Sequence, residues 1–244
     1  LGLVDPTEDF TVSDFQAAAR QALAGMEDHG ARAILVGGTG LHVRAVVDDL
    51  EIPGRYDEVR AELDADVDTH GLYARLADLD PVAAGRMEAT NRRRVVRALE
   101  VTLGSGRPFS SFGPGLEAYP VTPFTQVGLR VDRDVLDRRI AERYQRQLDD
   151  GFLDEVRRLS KLDGGLSRSA AQALGYQEML AHLRGDCTLE DAVADAVVAT
   201  RRFARRQERW FRRDPRIEWF DVAEDPLEAL DGVLERFDRC GAPG

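Results

Sequence analysis

The feature that most constrains the fold is an amphipathic segment over residues 188–214. Thr188 and Asp191 have the spacing of a helix capping box, and Pro215 ends the helix at about Asp214. At about 100° per residue, seven arginines fall within an arc of roughly 140°, and the opposite arc is apolar. The segment therefore predicts a helix that packs on a core with one side and exposes guanidinium groups on the other. The seven are Arg201, Arg202, Arg205, Arg206, Arg209, Arg212 and Arg213.

This arginine row belongs to an acidic protein with a net charge of −11, so bulk charge does not draw the chain to an anionic partner. A local patch can still do so. Seven like charges on one helix face repel by a few tenths of a kcal/mol per neighbouring pair, and arginine forks match phosphate geometry. Two interpretations stay open: a phosphate-binding surface, or the solvated face of a core helix.

Length and composition set the broad class. The 244 residues, with 43% hydrophobic and 32% charged residues, suit one large α/β domain or a core with an inserted subdomain. No apolar run approaches 18 residues, and Cys187 and Cys240 lack the spacing of a metal site. We expect a cytosolic, monomeric protein without a membrane partner.

The first 47 residues have the pattern of one unit of a doubly wound parallel sheet. A helix is predicted over 12–28, a buried strand over 31–36, a glycine turn over 37–40 and a helix from residue 41. Backbone N–H groups in such a turn favour an anion or close approach of a ligand. A tight strand-to-helix turn also needs glycine for its own geometry, so the motif alone is weak.

A change of character at residue 48 predicts an inserted helical subdomain over 48–115. Its first part is strongly acidic, and Pro and Gly residues close it near residue 115. The α/β core then comprises 1–47 and 116–244. Helices are predicted over 56–65, 71–78, 81–88, 91–103, 133–160, 168–183 and 188–213, and strands over 127–131 and 217–221.

Two further segments could carry binding or chemistry. Residues 91–97 (NRRRVVR) place a second arginine cluster on a helix, with a solvated face as the equal alternative. Residues 174–178 (LGYQE) place a glycine inside a helical pattern, where it favours close packing or ligand approach. Glu178 is a candidate carboxylate, although an exposed or paired helix residue is the preferred interpretation. No Gly-x-x-x-x-Gly-Lys-Ser/Thr loop and no Ser/His/Asp or Cys/His set is present in the sequence.

Taken in order, these motifs make the chain resemble the tRNA dimethylallyltransferases, also called tRNA isopentenyltransferases. The ordered set is far more specific than any one motif, and it spans essentially the whole chain. The matching stretches are DPTEDFTVSDF at 5–15, LVGGTGLH at 35–42, Asp80-Pro81 with Ala84, RRVVRALEV at 93–101, LGYQE at 174–178, Thr200-Arg201, and ARRQERWFRRDPRIEWFD at 204–221.

The resemblance implies a fold, a reaction and a cofactor. The fold is a P-loop-NTPase-like parallel sheet with an inserted helical subdomain. The reaction transfers a dimethylallyl group from dimethylallyl diphosphate to the exocyclic amino nitrogen of the adenosine 3′ of the anticodon in tRNA, with Mg²⁺ assisting diphosphate departure. In the family, the phosphate loop and the aspartate base precede the Asp-Pro motif. The catalytic residues and the Mg²⁺ ligands are therefore expected upstream of Leu1, and we expect an N-terminally truncated chain without transfer activity of its own.

By the same resemblance, the remaining residues face the tRNA anticodon stem-loop. Arginine rows suit its phosphates, and Trp210 or Tyr176 offers a face for base stacking. Trp210 falls on the apolar arc, however, so a core position is the preferred interpretation for it. Three positions depart from the family pattern: His42 replaces a tyrosine, Arg209 a small hydroxyl residue, and Arg92 an aspartate. The implied tRNA- or substrate-binding residues are Gly37, Gly38, Thr39, Arg60, Arg93, Arg94, Val95, Val96, Arg97, Gln172, Ala173, Leu174, Gly175, Tyr176, Gln177, Arg205, Arg206, Gln207, Glu208, Arg209, Trp210, Phe211 and Arg212.

Three alternatives remain. An adenylate isopentenyltransferase would act on a free nucleotide, which needs no long basic surface. A non-catalytic RNA-binding module would use the arginine rows alone. An unrelated α/β protein with a solvated arginine face is disfavoured by the order of the motifs.

Overall fold

The structure, a computed structural model, describes residues 2–240 and divides the chain into two compact units. The first unit comprises the chain up to Val43 together with the chain from Thr122 onward. The second unit is Arg44–Val121. These divisions lie within six residues of the boundaries predicted at 47/48 and 115/116.

Helices dominate both units. Within residues 2–240, no helix combines the length and the apolar character needed to span a membrane. The helices are α1 (Val12–Asp28), α2 (Gly40–Val47), α3 (Asp57–Ala65), α4 (Thr69–Leu79), α5 (Pro81–Ala84), α6 (Arg92–Ser105), α7 (Arg133–Asp149), α8 (Phe152–Leu159), α9 (Arg168–Ala171), α10 (Tyr176–Arg184), α11 (Leu189–Phe211) and α12 (Leu230–Arg239), with 3-10 turns at Phe109–Ser111 and Pro226–Ala229.

The sheet of the described chain consists of two parallel strands, β1 (Gln126–Val131) and β2 (Ile217–Val222). Their register pairs Gln126 with Ile217 and Val131 with Val222. The strand predicted over 31–36 is not formed: neither β1 nor β2 pairs with it in the described chain. An extended apolar run becomes a strand only when a neighbour completes its hydrogen-bond ladder. Without one, Ile34 and Val36 are 71% and 88% exposed.

Two predicted helices are each interrupted by a glycine. The helix predicted over 133–160 divides into α7 and α8 at Gly151, whose φ is 92°. The helix predicted over 168–183 divides into α9 and α10 at Gly175, whose φ is 90°. A left-handed backbone ends a right-handed helix and is accessible to glycine at little cost. The helix predicted over 81–88 is shorter than expected, because α5 ends at Ala84.

The core of the first unit lies among α7, α8, α10 and α11. Its apolar centre includes Val156, Met179 and Ala196, each with no exposed surface. The Tyr144 hydroxyl and the Thr200 hydroxyl hydrogen-bond at 2.9 Å inside this core and so satisfy each other. This packing fixes one side of α11 and leaves its other side toward solvent.

The core of the second unit forms where α3, α4 and α6 meet, around Leu76, Val96 and Leu99, all fully buried. The Arg44 side chain, at the beginning of this unit, contacts residues near its end. Its guanidinium forms a buried ion pair with Asp48 and donates to the carbonyl oxygens of Leu116 at 2.9 Å and Ala118 at 2.6 Å. The first helix of the unit is therefore held to the segment near its end by one side chain.

Candidate nucleic-acid interface

The arginine-bearing helix α11 forms as its sequence predicts. The Thr188 hydroxyl accepts from the backbone N–H of Asp191 at 3.1 Å, and the Asp191 carboxylate accepts from the backbone N–H of Thr188, so the predicted capping box is present. Ala192, Ala196 and Thr200 are buried on the core side. The cap and the core contacts therefore fix the position of α11, from which the arginines project.

Acidic neighbours separate the arginines of this segment into two groups. Arg201 bonds the carbonyl of Asp137 at 2.9 Å and lies 3.8 Å from its carboxylate, while Arg212 pairs with Glu208 at 2.8 Å. Five others are exposed and have no ion pair within residues 2–240. We call these five the arginine row: Arg202, Arg205, Arg206, Arg209 and Arg213.

The GGTG turn packs directly on α11. The Gln207 side-chain amide donates to the carbonyl oxygen of Gly38 at 2.6 Å. A Cβ atom on Gly38 would overlap that amide, and a Cβ atom on Gly40 would overlap the indole of Trp210. Close packing against the Trp210 ring thus requires glycine at position 40, whereas a side chain at position 38 would displace the Gln207 amide. Thr39 stands between these two positions, exposed, and its hydroxyl has no hydrogen bond within the described residues.

A cavity of about 200 Å³ lies beside this turn. The His42 ring meets Phe15 edge to face at 5.0 Å, and its buried Nδ1 has no hydrogen-bond partner among residues 2–240. Burial lowers the pKa of His42 and so favours the neutral ring. The lining is mainly apolar: Phe15, Leu35, Val36, Gly37, Gly38, Thr39, His42 and Val43.

The LGYQE segment begins α10 and is largely engaged within the protein. The Glu178 carboxylate accepts from the backbone N–H of Gly175 at 2.9 Å, which is a capping contact and fits the paired interpretation of this residue. The Tyr176 hydroxyl donates to Glu155 at 2.6 Å, and burial together with this bond raises the pKa of Tyr176 to about 12. Gln172, Leu174 and Gln177 are exposed, Ala173 and Tyr176 are half-buried, and Gly175 is buried.

A groove of about 370 Å³ lies between α10 and α11. Gln177 and Arg202 both line it, so the LGYQE segment and the arginine row share one surface. On the same helix, Gln207 and Trp210 reach the GGTG turn. Two predicted stretches of the first unit, LGYQE and the GGTG turn, therefore both lie against α11. Glu208 and Phe211 of this helix are half-buried.

The arginine cluster of the second unit is only partly available. Arg93 and Arg94 are exposed at the start of α6, whereas Val95 and Val96 are completely buried and present no side chain to a ligand. Arg97 pairs with the buried Glu100 at 2.6 Å. Arg60 lies 3.5 Å from the same carboxylate and bonds Asp64 at 2.7 Å. Arg60 and Arg97 are thus each engaged by a carboxylate within this unit.

Some site features were not found by sequence reasoning. Helical periodicity placed Arg202 and Arg213 on the predicted arginine arc, but neither is among the tRNA-binding residues that the family resemblance implies. The contact between Gln207 and Gly38 joins residues 169 positions apart, and no local pattern signals it.

The fold and surface define the class of protein: an α/β protein with a parallel strand pair, a separate helical unit and an arginine-rich helix. Residues 1–214 match the IPP transferase family. The chain belongs to this family.

Relatives agree in sequence and in structure. The tRNA dimethylallyltransferase of Pseudarthrobacter chlorophenolicus is 47% identical over 232 residues, which cover 94% of this chain and 76% of the relative. That of Streptomyces griseus is 47% identical over 244 residues, covering 97% and 77%. The crystal structure of the full-length tRNA isopentenylpyrophosphate transferase from Bacillus halodurans is 33% identical, with a TM-score of 0.65 over 98% of this chain and 76% of that one. These findings confirm the predicted family and the predicted α/β fold class.

Proposed function

We propose that this protein takes part in tRNA prenylation: transfer of a dimethylallyl group from dimethylallyl diphosphate to the exocyclic amino nitrogen of the adenosine 3′ of the anticodon. The relatives named tRNA dimethylallyltransferases share 47% identity with nearly the whole chain. The single observation that carries the proposal from the structure is the arginine row, five exposed arginines without acidic partners within residues 2–240.

The geometry of the arginine row suits an RNA backbone. From Arg202 to Arg209 the helix rises by about 10 Å, and Arg213 follows just after the end of α11 at Phe211, so the row can reach several phosphates. Guanidinium groups bind phosphate oxygens in bidentate fashion without reading base identity. Such a surface holds a stem-loop in position while a loop base is turned outward for reaction.

The GGTG turn is the candidate contact for that base. Thr39 is exposed, carries a hydroxyl that can donate and accept, and lies beside an apolar cavity. Apolar walls exclude water, which strengthens hydrogen bonds to a bound ligand. In this proposal Thr39 orients the target nucleotide, and the arginine row holds the flanking phosphates.

Mg²⁺, which the family resemblance implies, is usually held by one or two carboxylates together with substrate phosphates. Within residues 2–240, no three His, Cys, Asp or Glu side chains come together in a way that could hold a metal ion. None of these residues is therefore assigned as a ligand. Their proposed share of the reaction is to bind and orient RNA.

The proposed reaction is tested in a bacterial strain whose own tRNA dimethylallyltransferase has been deleted, by expressing the whole open reading frame that encodes this chain rather than residues 1–244 alone. Total tRNA is digested to nucleosides, and N6-dimethylallyladenosine is measured by mass spectrometry. We expect the modified nucleoside to appear in tRNA. Free dimethylallyl-AMP without modified tRNA would indicate the adenylate reaction, and tight binding of a stem-loop with neither product would indicate an RNA-binding module.

A further inference from the structure

We infer that Gln207 and Trp210 are positioning residues that hold the GGTG turn against α11, so that RNA bound on the arginine row is held in register with Thr39. The inference rests on the proposed function. It assigns these two side chains a different task from the direct tRNA contact implied by the family resemblance.

The helix geometry separates Gln207 from the arginine row. At about 100° per residue, Gln207 lies about 170° from the middle of the arginine arc, on the opposite side of α11. Trp210 lies about 110° from that middle. A phosphate backbone that follows the arginine row therefore runs on another side of the helix from the Gln207 amide.

The two side chains contact the turn on either side of Thr39. The Gln207 amide donates to the carbonyl oxygen of Gly38 at 2.6 Å, and the Trp210 indole fills the space that a Cβ atom on Gly40 would need. Thr39, between these two points, is exposed. A residue flanked by two such contacts has little freedom to shift, and small displacements at a reacting site are costly.

Close packing of the turn on α11 also explains why residues 38 and 40 are glycines, without any need for a bound phosphate. A side chain at Gly40 would push the turn away from α11, because the overlapping atoms belong to the Trp210 ring, and a side chain at Gly38 would displace the Gln207 amide that donates to the turn. By contrast, a Cβ atom on Gly25 in α1 would meet nothing within 4 Å. Gly25→Ala is therefore a matched control for the effect of adding a methyl group.

The first test uses Gln207→Glu, which keeps the size of the side chain but cannot donate to the Gly38 carbonyl when ionised. Amide hydrogen exchange of residues 38–43 is followed by mass spectrometry. Binding is followed with an anticodon stem-loop RNA that carries 2-aminopurine at the adenosine 3′ of the anticodon. We expect exchange at the turn to accelerate by about tenfold. RNA affinity should stay within about threefold, and the 2-aminopurine emission change should be lost.

The opposite pattern would overturn the inference: a tenfold or greater loss of RNA affinity with unchanged exchange at the turn would make Gln207 a direct RNA contact. If the unaltered protein binds no stem-loop RNA, the proposed function fails. Exchange at the turn then decides the inference alone: faster exchange in Gln207→Glu supports it, and unchanged exchange contradicts it.

A compensating pair gives a second test that does not depend on one variant. Gly40→Ala should accelerate exchange at the turn, because its new methyl group meets the Trp210 ring, whereas Gly25→Ala should not. Adding Trp210→Leu to Gly40→Ala makes room for the methyl group and should restore at least half of the lost protection. If the separate effects of Gly40→Ala and Trp210→Leu on exchange simply add in the double variant, the two residues do not share a contact and the inference is contradicted.

Discussion

Removing two members of the arginine row should change how RNA binding depends on salt. Arg205 and Arg206 are adjacent, exposed and without acidic partners within residues 2–240. Each guanidinium that neutralises a phosphate releases a counterion. Each such contact makes the slope of the logarithm of the binding constant against the logarithm of salt concentration more negative by about 0.7 to 0.9.

The magnitude follows from the number of unpaired arginines. Five contacts give a slope of about −3.5 to −4.5, so affinity should fall by about 100- to 500-fold between 50 and 200 mM salt. The double variant Arg205→Ala with Arg206→Ala retains three contacts. Its slope should flatten by about 1.4 to 1.8, and its affinity should fall by only about 20- to 40-fold over the same range.

The assay is fluorescence anisotropy of a labelled anticodon stem-loop, titrated at four salt concentrations. Arg157→Ala is the control, because it removes an exposed arginine that is paired with Asp154 in α8 and lies outside the arginine row. Its slope should equal that of the unaltered protein. An unchanged slope in the double variant, or an equal change in the control, would refute phosphate binding by this row.

Three further predictions concern stability and ionisation. Arg201→Ala should lower the free energy of unfolding by about 1 kcal/mol through its lost contacts to Asp137, while leaving the salt slope of RNA binding unchanged. Leu99→Ala should lower the free energy of unfolding, measured by urea denaturation, by about 2 to 5 kcal/mol, because Leu99 is completely buried. Val67→Ala, at a 90% exposed position, should lower it by less than about 0.5 kcal/mol. The pKa of His42 should lie below its ordinary value of about 6.5 in an NMR titration, because burial favours the neutral ring. The stability that the neutral His42 ring contributes to the folded state is therefore complete above about pH 6.5 and is lost as the pH falls toward the folded pKa. His42→Phe should remove this pH dependence of stability. A pKa of His42 in the folded protein at or above about 6.5 would contradict the prediction.

Local sequence signals placed α11 and both observed strands, but they did not reveal the breaks in two helices or the missing partner of a third predicted strand. The capping box at Thr188 and the apolar arc placed α11 correctly, because caps and periodicity are properties of neighbouring residues. The run 31–36 has the composition of a buried strand but lacks a ladder partner in the described chain, and pairing is a long-range property. Gly151 and Gly175 interrupt helices because each takes a positive φ, which composition alone does not reveal.

The candidate site was predictable in its residue types but not in their tasks. Arg60 and Arg97 look like Arg93 in the sequence, yet a single buried carboxylate, Glu100, engages both of them. Glu100 lies 40 positions from Arg60, so nothing near Arg60 in the sequence signals the pair. The distribution of acidic side chains in space, more than the arginine count, determines which guanidinium groups remain available for RNA.

The same reasoning explains how a chain with a net charge of −11 can bind an anionic polymer. Residues 201–216 carry eight arginines and two carboxylates, a net charge of +6 for that segment. Both carboxylates are already neutralised, Glu208 by Arg212 and Asp214 by Arg216. At physiological salt, charges farther than about 8 Å are largely screened, so a phosphate beside α11 responds mainly to the arginine row. The acidic surface elsewhere then disfavours non-specific RNA binding without weakening the specific contact.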